Sequence, residues 1–292
     1  MVDEFDLQKR KASSWFLNLR EKILNSFQNI EDAYSSEKLA GRFEINQTTR
    51  DEPSNIDSGG GIMSVMRDGR VFEKVGVNVS TVYGPLNKSL TKIMKSRNKI
   101  SQAKDKSVFW ASGISVVAHM QNPHCPAVHM NTRMFWTPES WWFGGGADLN
   151  PSIQKLDDTN FFHSSMKKCC DRHNKKYYKK FKKWADEYFY IPHRNTARGV
   201  GGIFFDDLNT VWDEDFAFTQ DVGKTFLSAF LDITKQRSSE RWTASDKDQQ
   251  LRYRGLYSEY NLIYDRGTKF GLESGHDPNA VLMSLPPVVK WY

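Results

Sequence analysis

Three cysteines in 292 residues are too few for a disulfide framework, and Cys169 and Cys170 are chain neighbours that rarely bond each other. That usage fits a reducing compartment, the cytoplasm. No apolar run approaches the ~20 residues a helix needs to cross a bilayer. Met1-Val2-Asp3-Glu4-Phe5 opens on acids rather than an apolar signal core, so neither a membrane span nor a secretory leader is expected. A dinucleotide fingerprint is missing as well. The glycine groups at 59–61, 144–146 and 199–202 lack the strand–GxGxxG–helix order with a downstream ribose-binding acid. No HExxH and no close cysteine–histidine cluster occurs either. His119, His129, His163 and His193 are therefore candidate metal ligands by residue type alone.

Aromatic residues, by contrast, reach 13% with nine Trp. They offer rigid surfaces for a flat ligand or a subunit interface, or simply an aromatic core. Lys and Arg outnumber Asp and Glu by 41 to 35, an excess that suits an anionic partner without choosing among polycarboxylate, phosphate and nucleic acid. The lysine-rich stretch 167–183 surrounds an aromatic stripe and runs straight into Asp186 and Glu187. It reads as an amphipathic helix with a solvated cationic face, and no nucleic-acid motif accompanies it.

Periodicity organises the rest of the chain. Phe16, Leu19, Ile23, Phe27 and Ile30 recur at helical steps within a helix over residues 5–33. Residues 46–61, with Pro53 and three glycines, read as a loop. Val75, Val77 and Val79 mark a half-buried strand between Val71 and Tyr83. Residues 87–107 read as an exposed polar excursion. Strands are expected over 113–118 and 127–136, separated by Pro123 and Pro126, and again over 202–208, 255–265 and 280–285. Helices are expected over 161–190, with a break near Asn174, and over 219–235. Strands come in runs rather than alternating with helices, and no linker or repeat divides the chain. One α+β domain follows, with a mostly antiparallel sheet flanked by helices.

Two strips carry candidate chemistry. Side chains alternate along a strand, so His129, Asn131 and Arg133 share one face while Val128, Met130 and Met134 share the other. Imidazole, amide and guanidinium in one row make either an anion-binding strip or the solvated face of an edge strand. On the strand reading of 255–265, Glu259, Asn261 and Asp265 fall on one face, with Arg266 at its exit. Asp265 and Arg266 then offer an acceptor and a donor to one ligand, or close a turn as a surface pair. Asp206 and Asp207 end a hydrophobic strand, so one of them faces a site or both cap the following turn.

Seven stretches in order are highly specific together: GGGIMSVMRDGRVFEKVGVN at 59–78, NPHCPAVHMNTR at 122–133, WWFGGGADLNP at 141–151, WADEYFYIPHRN at 184–195, RGVGGIFFDDLN at 198–209, YSEYNLIYDRGTKFGL at 257–272 and LMSLPP at 282–287. Across nearly the whole chain they resemble the oxygen-dependent coproporphyrinogen III oxidases. The resemblance implies a broad antiparallel sheet covered by helices on both faces, and a homodimer formed through residues 257–292. It implies conversion of two propionates of coproporphyrinogen III to vinyl groups, giving protoporphyrinogen IX, with O2 as co-substrate and no organic cofactor. His129, as proton donor, and Asp265 would be catalytic. Ser115, Asn131, Thr132, Arg133, Arg266, Gly275, His276 and Asp277 would contact the tetrapyrrole. His119, His129, His163 and His193 match positions proposed to bind a divalent metal. The family's common Gly-Gly-Arg stretch is Gly275-His276-Asp277 here, which removes a cationic contact. The rival readings are a metal-dependent oxygenase or hydrolase built on the four histidines, and a nucleic-acid module built on 167–183.

Overall fold

The structure, a computed structural model, describes residues 4–49, 58–86, 91, 94–95, 108–273 and 277–291. Seven strands form one antiparallel sheet in the order β1-β2-β3-β4-β5-β6-β9. They are β1 (Phe43–Thr49), β2 (Gly59–Arg67), β3 (Phe72–Pro85), β4 (Val108–Met120), β5 (Ala127–Thr137), β6 (Ser140–Asn150) and β9 (Gly202–Leu208). Between β6 and β9 lie helices α2 (Leu156–His173) and α3 (Tyr177–Tyr188) and a small hairpin, β7 (Tyr190–Ile191) with β8 (Thr196–Ala197). Helices α1 (Glu4–Ala33), α4 (Trp212–Arg237), α5 (Ala244–Ile263), α6 (Arg266–Glu273) and α7 (Pro278–Leu282) complete the fold.

The alternation read from the sequence decides which face packs. Val75, Ala118 and Val128 form one cross-strand rung and Val77, Val116 and Met130 the next, all fully buried. They meet Phe16, Leu19, Ile23 and Phe27 of α1, and Val222, Phe226 and Phe230 of α4. Each such side chain contributes about 1.5–3 kcal/mol on burial. Glu31, fully buried near the end of α1, accepts backbone N–H bonds from Gly41, Arg70, Val71 and Phe72 at 2.6–2.9 Å, which ties that helix end to the β2–β3 turn.

The opposite face carries the polar rungs and is covered by the C-terminal helices. Gly76 sits on it, where a Cβ would lie 1.7 Å from the sulfur of Met283, so the Met283 side chain after α7 packs directly onto the glycine. The 161–190 helix breaks at Asn174, whose extended backbone separates α2 from α3. Lys179, Lys180 and Lys183 there face solvent.

Three expectations are corrected. Residues 255–265 are not a strand: all but the last two lie in α5, which starts on a capping box between Thr243 and Asp246. Residues 280–285 are not a strand either; α7 starts on the Asp277 cap with Pro278 in its first turn. The loop expected over 46–61 is flanked by strand at both ends, and the three glycines open β2. Residues 50–57, and most of 87–107, lie outside the described residues.

Candidate active site

On the covered face the sheet register stacks His129 of β5 beside Val117 and Asp148, Asn131 beside Ser115 and Gly146, and Arg133 beside Gly113 and Gly144. A continuous hydrogen-bonded row results. Arg133 Nη2 lies 3.0 Å from Asp206 Oδ2, and Arg133 Nη1 donates to Asn131 Oδ1 at 3.0 Å. Since guanidinium only donates, Asn131 is oriented, and its Nδ2 faces His129 Nε2 at 3.3 Å. His129 therefore accepts at Nε2, and its Nδ1–H donates to Asp148 Oδ1 at 2.7 Å. Asp148 is fully buried and also takes Arg198 Nη2 at 2.6 Å and Asn150 Nδ2 at 2.8 Å. Burial pushes its carboxyl up, but Arg198 and His129 outweigh burial and hold it below the usual carboxylate value. The Arg198 guanidinium lies 4.2–4.8 Å from the ring centres of Phe189, Tyr257 and Tyr260, and its Nη1 donates to Asn261 Oδ1.

Facing this row across a cavity of about 660 Å³ is the junction of α5 and α6. Asp265 caps α6: its Oδ2 accepts from the Thr268 N–H at 2.6 Å and the Thr268 hydroxyl at 2.9 Å, and its Oδ1 accepts from Tyr188 at 2.9 Å. A carboxylate has about four acceptor sites, so one remains for a ligand donor. Burial and the neighbouring Asp265 raise the Tyr188 pKa, which keeps that phenol a donor. Arg266 lies over the Tyr188 ring at 4.9 Å, and both Arg266 and Lys269 line the cavity. Phe135, Trp142, Val82 and Met94 make its apolar wall. Cations, one available carboxylate acceptor and flat aromatic walls suit an anionic, ring-shaped ligand bearing N–H donors.

The expected site residues divide. His129, Ser115, Asn131, Arg133, Asp265, Arg266 and Asp277 all line the cavity. Thr132 lines it too, although it lies on the Met130–Met134 face and is fully buried. Gly275 and His276 lie outside the described residues. Glu259 is turned away from Asp265 by the helix and instead binds Arg194, His193 and Trp291.

The structure does not bring the four histidines together at one place. His119 donates Nε2–H to the Ser284 carbonyl, and burial pushes its pKa down to about 3. His163 sits between Tyr178 and the Val200 carbonyl, and His193 between Tyr264 and Glu259. His129 is committed to Asp148. Among the described residues no group of three or more His, Cys, Asp or Glu could hold a metal ion.

Sequence reasoning missed Asp148, Arg198 and Tyr188, and left Asp206 open between a site residue and a turn cap. Asp148 carried a signal: it is two residues beyond Gly146 on an alternating strand, opposite His129. Arg198, in a turn, carried none.

Comparison with known proteins agrees with this geometry. The family model described as coproporphyrinogen III oxidase matches residues 11–292. The oxygen-dependent coproporphyrinogen-III oxidase of Rickettsia bellii (strain RML369-C) is 48% identical over 283 residues, covering 96% of this chain and 97% of that protein. The enzyme of the same name from Rickettsia rickettsii (strain Sheila Smith) is 48% identical over 284 residues, covering 97% and 98%. That of Rickettsia akari (strain Hartford) is 46% identical over 284 residues, with the same coverage. A match of this extent, over a cavity of this chemistry, places the chain in the oxygen-dependent coproporphyrinogen III oxidase family.

Proposed function

We propose that this chain oxidatively decarboxylates two propionate groups of coproporphyrinogen III to vinyl groups, giving protoporphyrinogen IX with O2 as electron acceptor. The observation that carries the reading is the cavity in which His129, Asn131 and Arg133 of β5 face Asp265 and Arg266 at the start of α6. At each propionate a β-carbon C–H bond and the bond to the carboxylate break. CO2 leaves and its bonding pair becomes the vinyl double bond; the two electrons and the proton of the C–H bond pass to O2, and one further proton completes H2O2. The electron-rich porphyrinogen ring relays these electrons and ends unoxidised, so the protein's work is to bind, orient, exclude water and move protons.

The residues divide that work. The acceptor site left on Asp265 takes a pyrrole N–H and raises electron density in that ring. Arg133 and Arg266 orient carboxylates by charge-assisted hydrogen bonds. His129, its Nδ1–H held by Asp148, accepts a proton at Nε2 and returns it.

We read the chain further as a homodimer through residues 257–292. That segment leaves Leu262, Ile263, Leu272, Val288 and Trp291 about half exposed, an apolar set suited to a partner subunit. No helix among the described residues is long and apolar enough to cross a membrane, and all three cysteines are free, which fits a cytoplasmic enzyme. The test is incubation with coproporphyrinogen III under air, with protoporphyrin fluorescence after oxidation and one H2O2 per vinyl formed. An active oxidase stops when O2 is removed; no product under air sinks the reading.

A further inference from the structure

Asp206 reaches the cavity through an irregularity in the sheet. Phe205 of β9 pairs with Gly145 and Leu208 with Phe143, so two residues, Asp206 and Asp207, stand opposite the single residue Gly144. Such a bulge re-aims a side chain. Asp207 takes a left-handed φ of 59° within it. The Asp206 carboxylate, only 4% exposed, thereby comes to lie behind the Arg133 guanidinium, which is 35% exposed. Gly144 keeps the path between them open, since a Cβ there would lie 2.5 Å from Asp206 Oδ1 and 2.9 Å from Arg133 Nη2. With Nη1 on Asn131 and Nη2 on Asp206, the guanidinium is clamped at both ends beside the cavity.

A bulge, a glycine and a buried carboxylate are more apparatus than a plain carboxylate-binding arginine needs. An unopposed guanidinium in a partly dry cavity would bind a propionate tightly. Attraction equally strong in the ground and transition states lowers KM without raising kcat. In the proposed reaction two propionates react in turn, so an arm must also leave its cradle between the steps. We propose that Asp206 is a positioning residue that acts through Arg133: it fixes the guanidinium plane and offsets part of its charge, so that a propionate is oriented but not trapped. This rests on the oxidase reading above.

The test separates charge from placement. Asp206→Asn keeps an acceptor for Arg133 but removes the charge. In anaerobic titration, where no turnover occurs, it should bind coproporphyrinogen III about three- to tenfold more tightly, the higher value equivalent to about 1.4 kcal/mol. Under air its kcat should fall by a similar factor. Binding of the uncharged tetramethyl ester should not change, and in an Arg133→Ala background the substitution should have no effect on affinity. Asp206→Ser, small and uncharged, serves the same comparison if Asn disturbs the bulge. Weaker binding with a lower kcat would mean that Asp206 only props Arg133, and unchanged constants would mean that it does nothing to it; either overturns the proposal. Wild-type protein that makes no protoporphyrinogen overturns the oxidase reading instead.

Discussion

Replacing Asp148 by Asn tests the centre of the site most sharply, because the change is nearly isosteric and its effects on stability and rate are both calculable. Arg198 is 2% exposed and would lose the only full counter-charge it has at hydrogen-bond distance among the described residues. Removing one member of a buried pair costs about 3–5 kcal/mol. The three rings within 4.8 Å of the guanidinium lower the penalty of leaving it unpaired, so the low end, about 3 kcal/mol, is expected. Asn cannot satisfy both neighbours. If its oxygen faces Arg198, its amide faces His129 and forces the proton to Nε2, against Asn131 Nδ2. If its oxygen faces His129, its amide meets the Arg198 donors. Against a total stability of about 5–15 kcal/mol the protein stays folded but weakened. The urea midpoint should fall with an unchanged slope, and kcat should fall about 10²–10⁴ through the misplaced His129 proton. Adding Arg198→Met should recover a large part of the stability, since no charge is then left unpaired, but none of the rate. A cost below about 1 kcal/mol for Asp148→Asn, or a double variant as unstable as the sum of the singles, would refute the reasoning.

Arg133→Ala should raise KM about ten- to a hundredfold, the equivalent of 1.5–3 kcal/mol for a charge-assisted contact, with Lys rescuing in part; an unchanged KM in folded protein would remove Arg133 from the substrate. Asp265→Asn should lower kcat about 10²–10⁴ with little change in KM, and with little loss of stability, because Asn also caps helices well. A near-normal rate in a folded variant would limit Asp265 to its capping role. His119 is neutral in the folded protein, with its pKa lowered to about 3, whereas the unfolded chain protonates near 6.5. Stability is therefore full above pH ~6.5 and falls by at most about 1.4 kcal/mol per pH unit towards pH 3. His119→Gln should flatten that slope in urea titrations from pH 7 to 4; a slope that persists unchanged would place the acid sensitivity elsewhere.

The parts of the fold that the sequence announced are those whose packing follows a single period. The valines of β3 and the alternating row Val128–Met134 pack as apolar faces, and the polar face of β5 is where the cavity lies. The helix break expected near Asn174 falls between α2 and α3, although the stripe from Phe162 to Tyr188 keeps its helical step through it. Helix α5 was not announced, because its buried face is polar: Gln250, Arg254, Ser258 and Asn261 point inward and hide the helical period. Its tyrosines then mimicked a strand, and the Thr243–Asp246 capping box was the overlooked signal. The grouping of Glu259 with Asp265 failed with it, since a helix separates residues that a strand would align. Arg198 and Asp206 needed the sheet register and a bulge, which no local pattern encodes.

The order of groups along the row that runs from the cavity into the interior explains why so many polar side chains can be buried together. Asp206, Arg133, Asn131, His129, Asp148, Arg198 and Asn261 alternate acceptor and donor, and the two arginines, which can only donate, fix the direction of everything between them. Arg133 sets the Asn131 amide, and Asn131 and Asp148 together set the His129 tautomer. Arg198 holds the second oxygen of Asp148, which stops that carboxylate from turning away. The one acceptor in the row whose donor is a neutral amide, rather than a guanidinium or an imidazole N–H, is His129 Nε2, at 3.3 Å from Asn131. It is the weakest link of the row and the atom whose partner is most easily exchanged. A proton can therefore arrive there by displacing one neutral hydrogen bond, while the two ion pairs on either side stay intact and hold the strand face in register.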